Sequence, residues 1–322
     1  MRIGILTSGG DSPGMNACIR AVVKTALAPG TSCFGIRSGF QGLILNDIHP
    51  LGRDDVRYIL HRGGTMLYSA RCPDFMLPEK RQLAYQNLAK HGITGLVVIG
   101  GDGSFAGAQA MEKEAGIGVI GIPGTIDNDI VGTEMCLGFD TACQTAVDAI
   151  DKIRDTATSH HRLFLVEVMG RHSPAIALRC ALATGALGVL VPGTHYDMAQ
   201  LFAALSAAKA RKKLSNIVVV AEGEETGGAA LLAHHIGRHF PEYELRVAVL
   251  GHIQRGGSPS VTDRELGARM GALAAEALMD GKSGHMTAYV RGQVCLVPLD
   301  TAHTSKPAPN QDWIDLIAKL GA

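Results

Sequence analysis

One pattern recurs along the chain. A short apolar, largely β-branched run ends abruptly in a glycine-rich polar cluster, and a helical segment follows. Ile3–Leu6 leads into Thr7-Ser8-Gly9-Gly10-Asp11, and Leu96–Ile99 into Gly100-Gly101-Asp102-Gly103-Ser104. Val119–Ile122 leads into Pro123-Gly124-Thr125-Ile126-Asp127, and Phe164–Val168 into Met169-Gly170-Arg171. Ile217–Ala221 precedes Glu222-Gly223, and Val247–Leu250 precedes Gly251-His252. Apolar strands alternating with helices predict an α/β protein with a mostly parallel sheet covered on both faces. Ligands of such sheets bind beyond the carboxyl ends of the strands, where the polar clusters fall. Met15, Cys18, Val22 and Ala26 share one helical face after Pro13-Gly14. Asp140–Asp155 reads as a second helix. Thr262-Asp263 reads as the cap of a third, reaching about Met279 with Gly281 as its stop. A loop around Lys306-Pro307-Ala308-Pro309 precedes a last helix at Asp312–Leu320.

The length of 322 residues allows two domains, and the 46% apolar content allows a large core. The 40 glycines cluster at the strand ends, which points to tight turns and close backbone–ligand contacts rather than a linker. Lys+Arg and Asp+Glu balance at 30 each, so no field of one sign argues for nucleic acid or an anionic membrane. No apolar run approaches a membrane span, and the first residues lack a secretory pattern. The 7 cysteines are odd in number and contain no CxxC. Reduced thiols and a cytoplasmic location follow.

Gly9-Gly10-Asp11-Ser12-Pro13-Gly14 opens a helix after a strand, a place suited to phosphate. It is neither the Rossmann nor the Walker pattern, and a plain strand-to-helix turn explains it equally well. In Gly100-Gly101-Asp102-Gly103-Ser104, glycines on both sides expose a carboxylate that could hold nucleotide-bound Mg²⁺. An Asp capping a helix is the plainer reading. Asp127 and Asp129, two residues apart in an extended segment, would project the same way. One could take the proton of a sugar hydroxyl. Arg162, Arg171, Arg246, His252 and Arg255 all lie at or beside predicted strand ends. Together they suit a sugar phosphate; singly, each suits a surface ion pair. Glu222 could receive sugar hydroxyls. His234, His235 and His239 lack a completing ligand for a metal, and Lys209, Arg211, Lys212 and Lys213 read as a solvated helix end.

Taken together, the strings resemble bacterial ATP-dependent 6-phosphofructokinase over essentially the whole length. The matching segments are TSGGDSPGMNACIR at Thr7–Arg20, GGT at Gly63–Thr65, SAR at Ser69–Arg71 and VVIGGDGS at Val97–Ser104. PGTIDNDI ending at Ile130, VEVMGR at Val166–Arg171 and RVAVLGHIQRGGSPSVTDR at Arg246–Arg264 complete the set. The resemblance implies transfer from MgATP to the 1-hydroxyl of fructose 6-phosphate. Gly10, Arg71, Cys72, Gly101, Asp102, Gly103 and Ser104 would contact ATP, with Asp102 on Mg²⁺. Asp127 would be the general base, acting with Thr125 and Arg171. Thr125, Ile126, Met169, Gly170, Arg171, Glu222, His252, Ile253, Gln254 and Arg255 would hold the sugar phosphate. Arg162 and Arg246 would reach across from a neighbouring subunit, which implies a homotetramer. The implied domains are 1–137 with 253–303 for ATP, and 138–252 with 304–322 for the sugar phosphate, with the active site in the cleft between them.

Two rivals stay in view. Pyrophosphate-dependent relatives place Asp and Lys where this chain has Gly103 and Gly124, and a Lys would crowd the nucleotide α-phosphate. A non-catalytic sensor would be expected to lose Asp102, Asp127 or Arg171. Tagatose 6-phosphate is a further possible acceptor. The resemblance also implies an allosteric anion site of Arg20, Lys24, Arg53, Arg154, Arg211 and Lys213. At the place of the family's metal-binding glutamate stands Leu187, so activation by ADP is expected to be weak or absent.

Overall fold

The computed structural model describes every residue except 161, 194–197, 212–215, 226, 304–308 and 322. Lys213 and most of the predicted loop at Lys306-Pro307-Ala308-Pro309 therefore lie outside the described residues. The elements begin with β1 (Arg2–Thr7), α1 (Met15–Leu27), β2 (Ser32–Ile36), α2 (Gly39–Leu45), β3 (Ile48–Leu51) and α3 (Pro78–Lys90). Then come β4 (Gly95–Gly100), α4 (Asp102–Ala115), β5 (Gly118–Pro123), α5 (Phe139–His160), β6 (Arg162–Val168), α6 (Ala175–Thr184) and β7 (Gly188–Leu190). The chain continues through α7 (Met198–Ala210), β8 (Asn216–Ala221), α8 (Gly228–His239), β9 (Glu244–Val249), α9 (Val261–Met279), β10 (His285–Val290), β11 (Gln293–Pro298) and α10 (Gln311–Gly321). Among the described residues, no helix is long and apolar enough to cross a membrane, and all seven cysteines are free thiols.

The chain divides into two compact units. The first comprises Met1–Ile126, Ile130–Thr141 and Arg255–Lys306; the second comprises Asp127–Asp129, Ala142–Gln254 and Pro307–Ala322. The first unit holds a seven-stranded sheet in the order β11-β10-β5-β4-β1-β2-β3. Its strands are parallel from β10 to β2, and β3 and β11 run antiparallel at the edges. Alternate residues feed opposite faces, as strand geometry requires. Ile3, Ile5, Val97 and Ile99 join Met15, Cys18 and Val22 of α1 and Met270 of α9 on one side. Leu6, Leu96 and Val98 join Phe40, Leu88 and Phe105 on the other. Helix α9 lies unusually close to α1 because Gly267 and Gly271 sit one turn apart. A Cβ on Gly271 would lie 2.6 Å from the Cys18 carbonyl oxygen.

The predicted cap of α9 is corrected. Ser260 caps it, its Oγ accepting from Asp263 N at 3.2 Å. Asp263 is fully buried and turns its carboxylate instead to Gly138 N, Thr141 N and the Thr141 hydroxyl. It therefore caps the neighbouring helix α5. Burial pushes this carboxyl up, against the hydrogen bonds that pull it down.

The second unit holds a four-stranded parallel sheet in the order β7-β8-β6-β9. Strands β6 and β8 supply Leu163, Leu165, Val218 and Val220 to a core completed by Leu187, Leu201, Leu205, Leu232 and Ile236. The expectation of strands covered on both faces fails at β9, an edge strand on which Arg246, Val247 and Val249 are all exposed.

Candidate active site

In the first unit, β1 and β4 are neighbours whose following connections lead to opposite sides of the sheet. That makes the crevice at their carboxyl ends a topological switch point, the usual ligand position in a doubly wound sheet. Ser8 N donates to Ile99 O at 2.9 Å and prolongs the pairing into the glycine clusters. The phosphate-favouring helix terminus is not the one the glycine loop opens. Ser12, Pro13, Gly14 and Met15 at the start of α1 are buried, Pro13 has no N–H, and Met15 N donates to Ser12 O, so this terminus offers little to a ligand. The open terminus belongs to α4. Asp102 and Gly103 are exposed, and a Cβ on Gly101 or Gly103 would meet nothing within 4 Å. The open space before this terminus and the helix dipole favour a phosphate there. The Asp102 carboxylate accepts from Gly103 N at 2.7 Å and stands in solvent. Ser104, in contrast, is buried, its Oγ only 2.5 Å from where a Gly100 Cβ would lie.

Arg71 is exposed and Cys72 half-buried, with its thiol pushed up by burial. The loop before them is tied to the first strand by groups that the sequence reading did not single out. Thr7 Oγ1 donates to Tyr68 O at 2.6 Å, and Ser69 Oγ donates to Gly9 O at 2.6 Å. Buried Asn16 donates to Arg62 O and Gly63 O and accepts from Met66 N at 2.7 Å. Arg255 was expected with the sugar phosphate. The structure lays its guanidinium in the first unit, on the Asp11 carbonyl at 3.1 Å and over Gly10, where a Cβ would be 2.5 Å from a guanidinium nitrogen.

The segment after β5 is not extended as expected. Asn128 takes a left-handed φ of 49°. The turn breaks the two-residue alternation, so Asp127 is buried at 5% exposure while Asp129 is half-buried. Thr125 is half-buried and Ile126 buried. Gly124 is buried too, and a Cβ there would lie 3.0 Å from Ile99 and 3.1 Å from Met15. Of the two glycines expected to select the donor, Gly103 faces open space and Gly124 faces the core.

In the second unit, the carboxyl ends of β6 and β8 come together. Glu222 N donates to Val168 O at 2.9 Å, and its carboxylate accepts from Arg171 N at 3.0 Å. Met169 N donates to Oε1 of fully buried Gln254 at 2.9 Å. Met169 and Gly170 are buried; Arg171, Glu222, His252 and Ile253 are exposed.

Arg162 and Arg246 are not beside this cluster: Arg162 stands at a strand end as expected, but at the amino end, whereas the expected place of Arg246 at a strand end is corrected. Arg162 opens β6, and Arg246 lies within β9, opposite Phe164. Both pair with Glu244, Arg162 through Nε at 3.0 Å. Six residue steps at ~3.3 Å put Arg162 about 20 Å along the strand from Val168, at the opposite end of the sheet.

Of the expected effector residues, Arg20 and Lys24 on α1 and Arg154 on α5 are half-buried, while Arg53 and Arg211 are exposed. The Arg154 guanidinium donates to Thr184 O. Leu187 is 2% exposed within the core of the second unit, so its side chain offers nothing to a ligand.

The sequence model of the family described as Phosphofructokinase matches residues 2–278. The chain is 54% identical over 301 residues, 94% of its length and 93% of the relative's, to ATP-dependent 6-phosphofructokinase 1 of Thermus thermophilus. It is 54% identical over 286 residues, 88% of each chain, to the ATP-dependent 6-phosphofructokinase of Bacillus thuringiensis. The structure of phosphofructokinase from Saccharomyces cerevisiae superposes with a TM-score of 0.85 at 30% identity, covering 98% of this chain and 45% of the yeast chain. A pyrophosphate-dependent phosphofructokinase of Marinobacter aquaeolei shares the fold, with a TM-score of 0.86 at 22% identity over 100% of this chain and 92% of the other.

Proposed function

The chain belongs to the phosphofructokinase family, and from that premise we propose that it transfers the γ-phosphoryl group of ATP to the 1-hydroxyl of fructose 6-phosphate. The observation that carries this reading is the solvent-open N-terminus of α4 at the β1/β4 switch point, with Asp102 exposed between two unobstructed glycines. That surface suits the phosphates of a nucleotide, and the relatives of this chain at 54% identity are ATP-dependent enzymes.

Among the described residues no group of three metal-ligating side chains occurs. An exposed single carboxylate fits Mg²⁺ that arrives with the nucleotide, because this ion keeps its waters and needs only one or two protein carboxylates. Asp102 would hold it, and it would neutralise charge on the phosphates when bound. Arg71 would hold the donor phosphates with Gly10, Cys72, Gly101, Gly103 and Ser104. Asp127 would take the proton of the acceptor hydroxyl as the bond to phosphorus forms, a point at which even a weak base suffices. Arg171 would neutralise the transferring group, while Met169, Gly170 and Glu222, with His252 and Gln254, would hold the sugar phosphate.

Arg162 and Arg246 fit this scheme only in an oligomer. In their own unit Arg162 stands at the amino end of β6, a strand length from Arg171, and Arg246 lies on the edge strand β9 beside exposed valines, as expected of residues offered to another copy. A homotetramer is the reading we adopt, with a cytoplasmic location that free thiols suit. The two domains are read as an ATP half and a sugar-phosphate half. The basic effector residues are read as a surviving anion site without ADP activation, in keeping with the burial of Leu187.

A coupled assay offering ATP or pyrophosphate with fructose 6-phosphate or tagatose 6-phosphate tests the reading. ATP with fructose 6-phosphate should give the highest kcat/KM, and added ADP should leave the saturation curve in place. Turnover with pyrophosphate but not ATP would overturn it.

A further inference from the structure

We propose that Gly223 is a positioning residue for Arg171. The inference rests on the family reading only in giving Arg171 a role in phosphoryl transfer; the geometry stands within the second unit alone. Arg171 adopts φ 51°, in the left-handed region that a side chain disfavours. A residue is held there only when its surroundings over-determine it. Three contacts supply that constraint. The Arg171 N–H is held by the Glu222 carboxylate at 3.0 Å. Behind it, Gly170 takes φ 143°, and Ser173 N closes the turn on Gly170 O at 2.8 Å. On the remaining side the backbone of Gly223 lies directly against the Arg171 peptide.

This last approach leaves no room for a side chain. A Cβ on Gly223 would lie 1.7 Å from the Arg171 carbonyl oxygen and 2.6 Å from its carbonyl carbon. The obstructing atoms are backbone, so they can yield only by moving the turn that carries Arg171. Gly223 itself is outside the left-handed region, so alanine would find its backbone conformation acceptable and act through the collision alone. Hence Glu222 and Gly223, adjacent at the end of β8, work as a pair. The first draws the Arg171 peptide in by a hydrogen bond, and the second lets it come close enough to be drawn.

The test is a double-mutant cycle on the full-length enzyme with Gly223→Ala and Arg171→Ala. Gly223→Ala should lower kcat/KM for fructose 6-phosphate about 100-fold, the usual effect of misplacing a reacting group by an ångström. KM for ATP should stay near wild type, because the donor residues lie in the other unit. The double variant should match Arg171→Ala within about twofold, since a residue acting through Arg171 has nothing left to disturb. A defect that was merely structural would instead multiply with that of Arg171→Ala. Such multiplication, wild-type activity in Gly223→Ala, or wild-type activity in Arg171→Ala would each overturn the proposal. If Gly223→Ala fails to fold, Glu222→Leu and Glu222→Gln enter the same cycle, since Gln keeps an acceptor for the Arg171 N–H and Leu does not. Coupling to Arg171→Ala that Leu shows and Gln relieves supports the proposal, while no coupling, or equal coupling in both, overturns it. A wild-type enzyme inactive on every sugar phosphate would sink the family reading, an outcome distinct from any of these.

Discussion

At the ends of β1 and β4 the first unit presents mostly backbone: Gly101 and Gly103 leave it open, and Asp102 stands in solvent at the start of α4. At the ends of β6 and β8 the second unit presents side chains, Arg171 and Glu222, on a turn locked by hydrogen bonds and one close backbone approach. In the proposed scheme the donor half can be assembled from one chain, because N–H groups at a helix terminus travel with the strand that precedes them. The acceptor half would need another copy, because Arg162 at the amino end of β6 and Arg246 within β9 lie away from the carboxyl ends where Arg171 and Glu222 stand. A phosphate met by backbone needs glycine; a phosphate met by arginine needs the arginine to be brought there.

Substitutions that strike one half should leave the other alone. The largest effect is expected at the base. Asp127→Ser should lower kcat by about 10²–10⁴ while KM for either substrate moves little. Steady-state kinetics check this, and near-full turnover would remove Asp127 from the mechanism. Next comes Arg246→Ala, which should weaken fructose 6-phosphate by about 1.5–3 kcal/mol, the worth of a charge-assisted contact, with KM for ATP unmoved. An equal rise in both KM values would erase the distinction between the halves.

The smallest effect concerns a site apart from both. Tyr85 donates to Glu114 at 2.7 Å, and its phenol is pushed up to about 12 by burial and then by that hydrogen bond. Between pH of about 10, where a free tyrosine ionises, and that value, the folded chain keeps a proton that the unfolded chain loses. Stability therefore falls as pH rises through the window. Urea unfolding of Tyr85→Phe should show this slope flattened by up to about one proton, with activity unchanged. A change in either KM would tie this region to the ligand halves.

The strand-then-glycine rhythm made six of the strands legible, five of them because buried parallel strands are continuous apolar runs, with the exposed edge strand β9 the sixth. The remaining strands were not. β7 is only three residues long, and β10 and β11 join through Arg291-Gly292, both at positive φ, without the Asn-Gly signal of such a turn. The motif residues were legible as chemistry but not as geometry. Periodicity placed Asp127 and Asp129 on one face until the left-handed Asn128 intervened. Asp263 read as a helix cap, but its carboxylate serves a helix distant in sequence. Asn16 and Gly223 gave no signal of their role, since each acts through a backbone contact with a loop far along the chain.

The claim that one chain holds a complete donor half and an incomplete acceptor half is tested most directly by mixing two inactive variants. Arg246→Ala chains keep their own base but cannot lend an arginine; Asp127→Ser chains lack the base but can lend one. Co-refolded in equal amounts, they should regain intact sites in about a quarter of positions under random assortment in a closed oligomer. The account predicts activity well above the sum of the two parents, with normal KM for fructose 6-phosphate in the recovered fraction. Activity no greater than that sum, in hybrids shown to have formed, would contradict it.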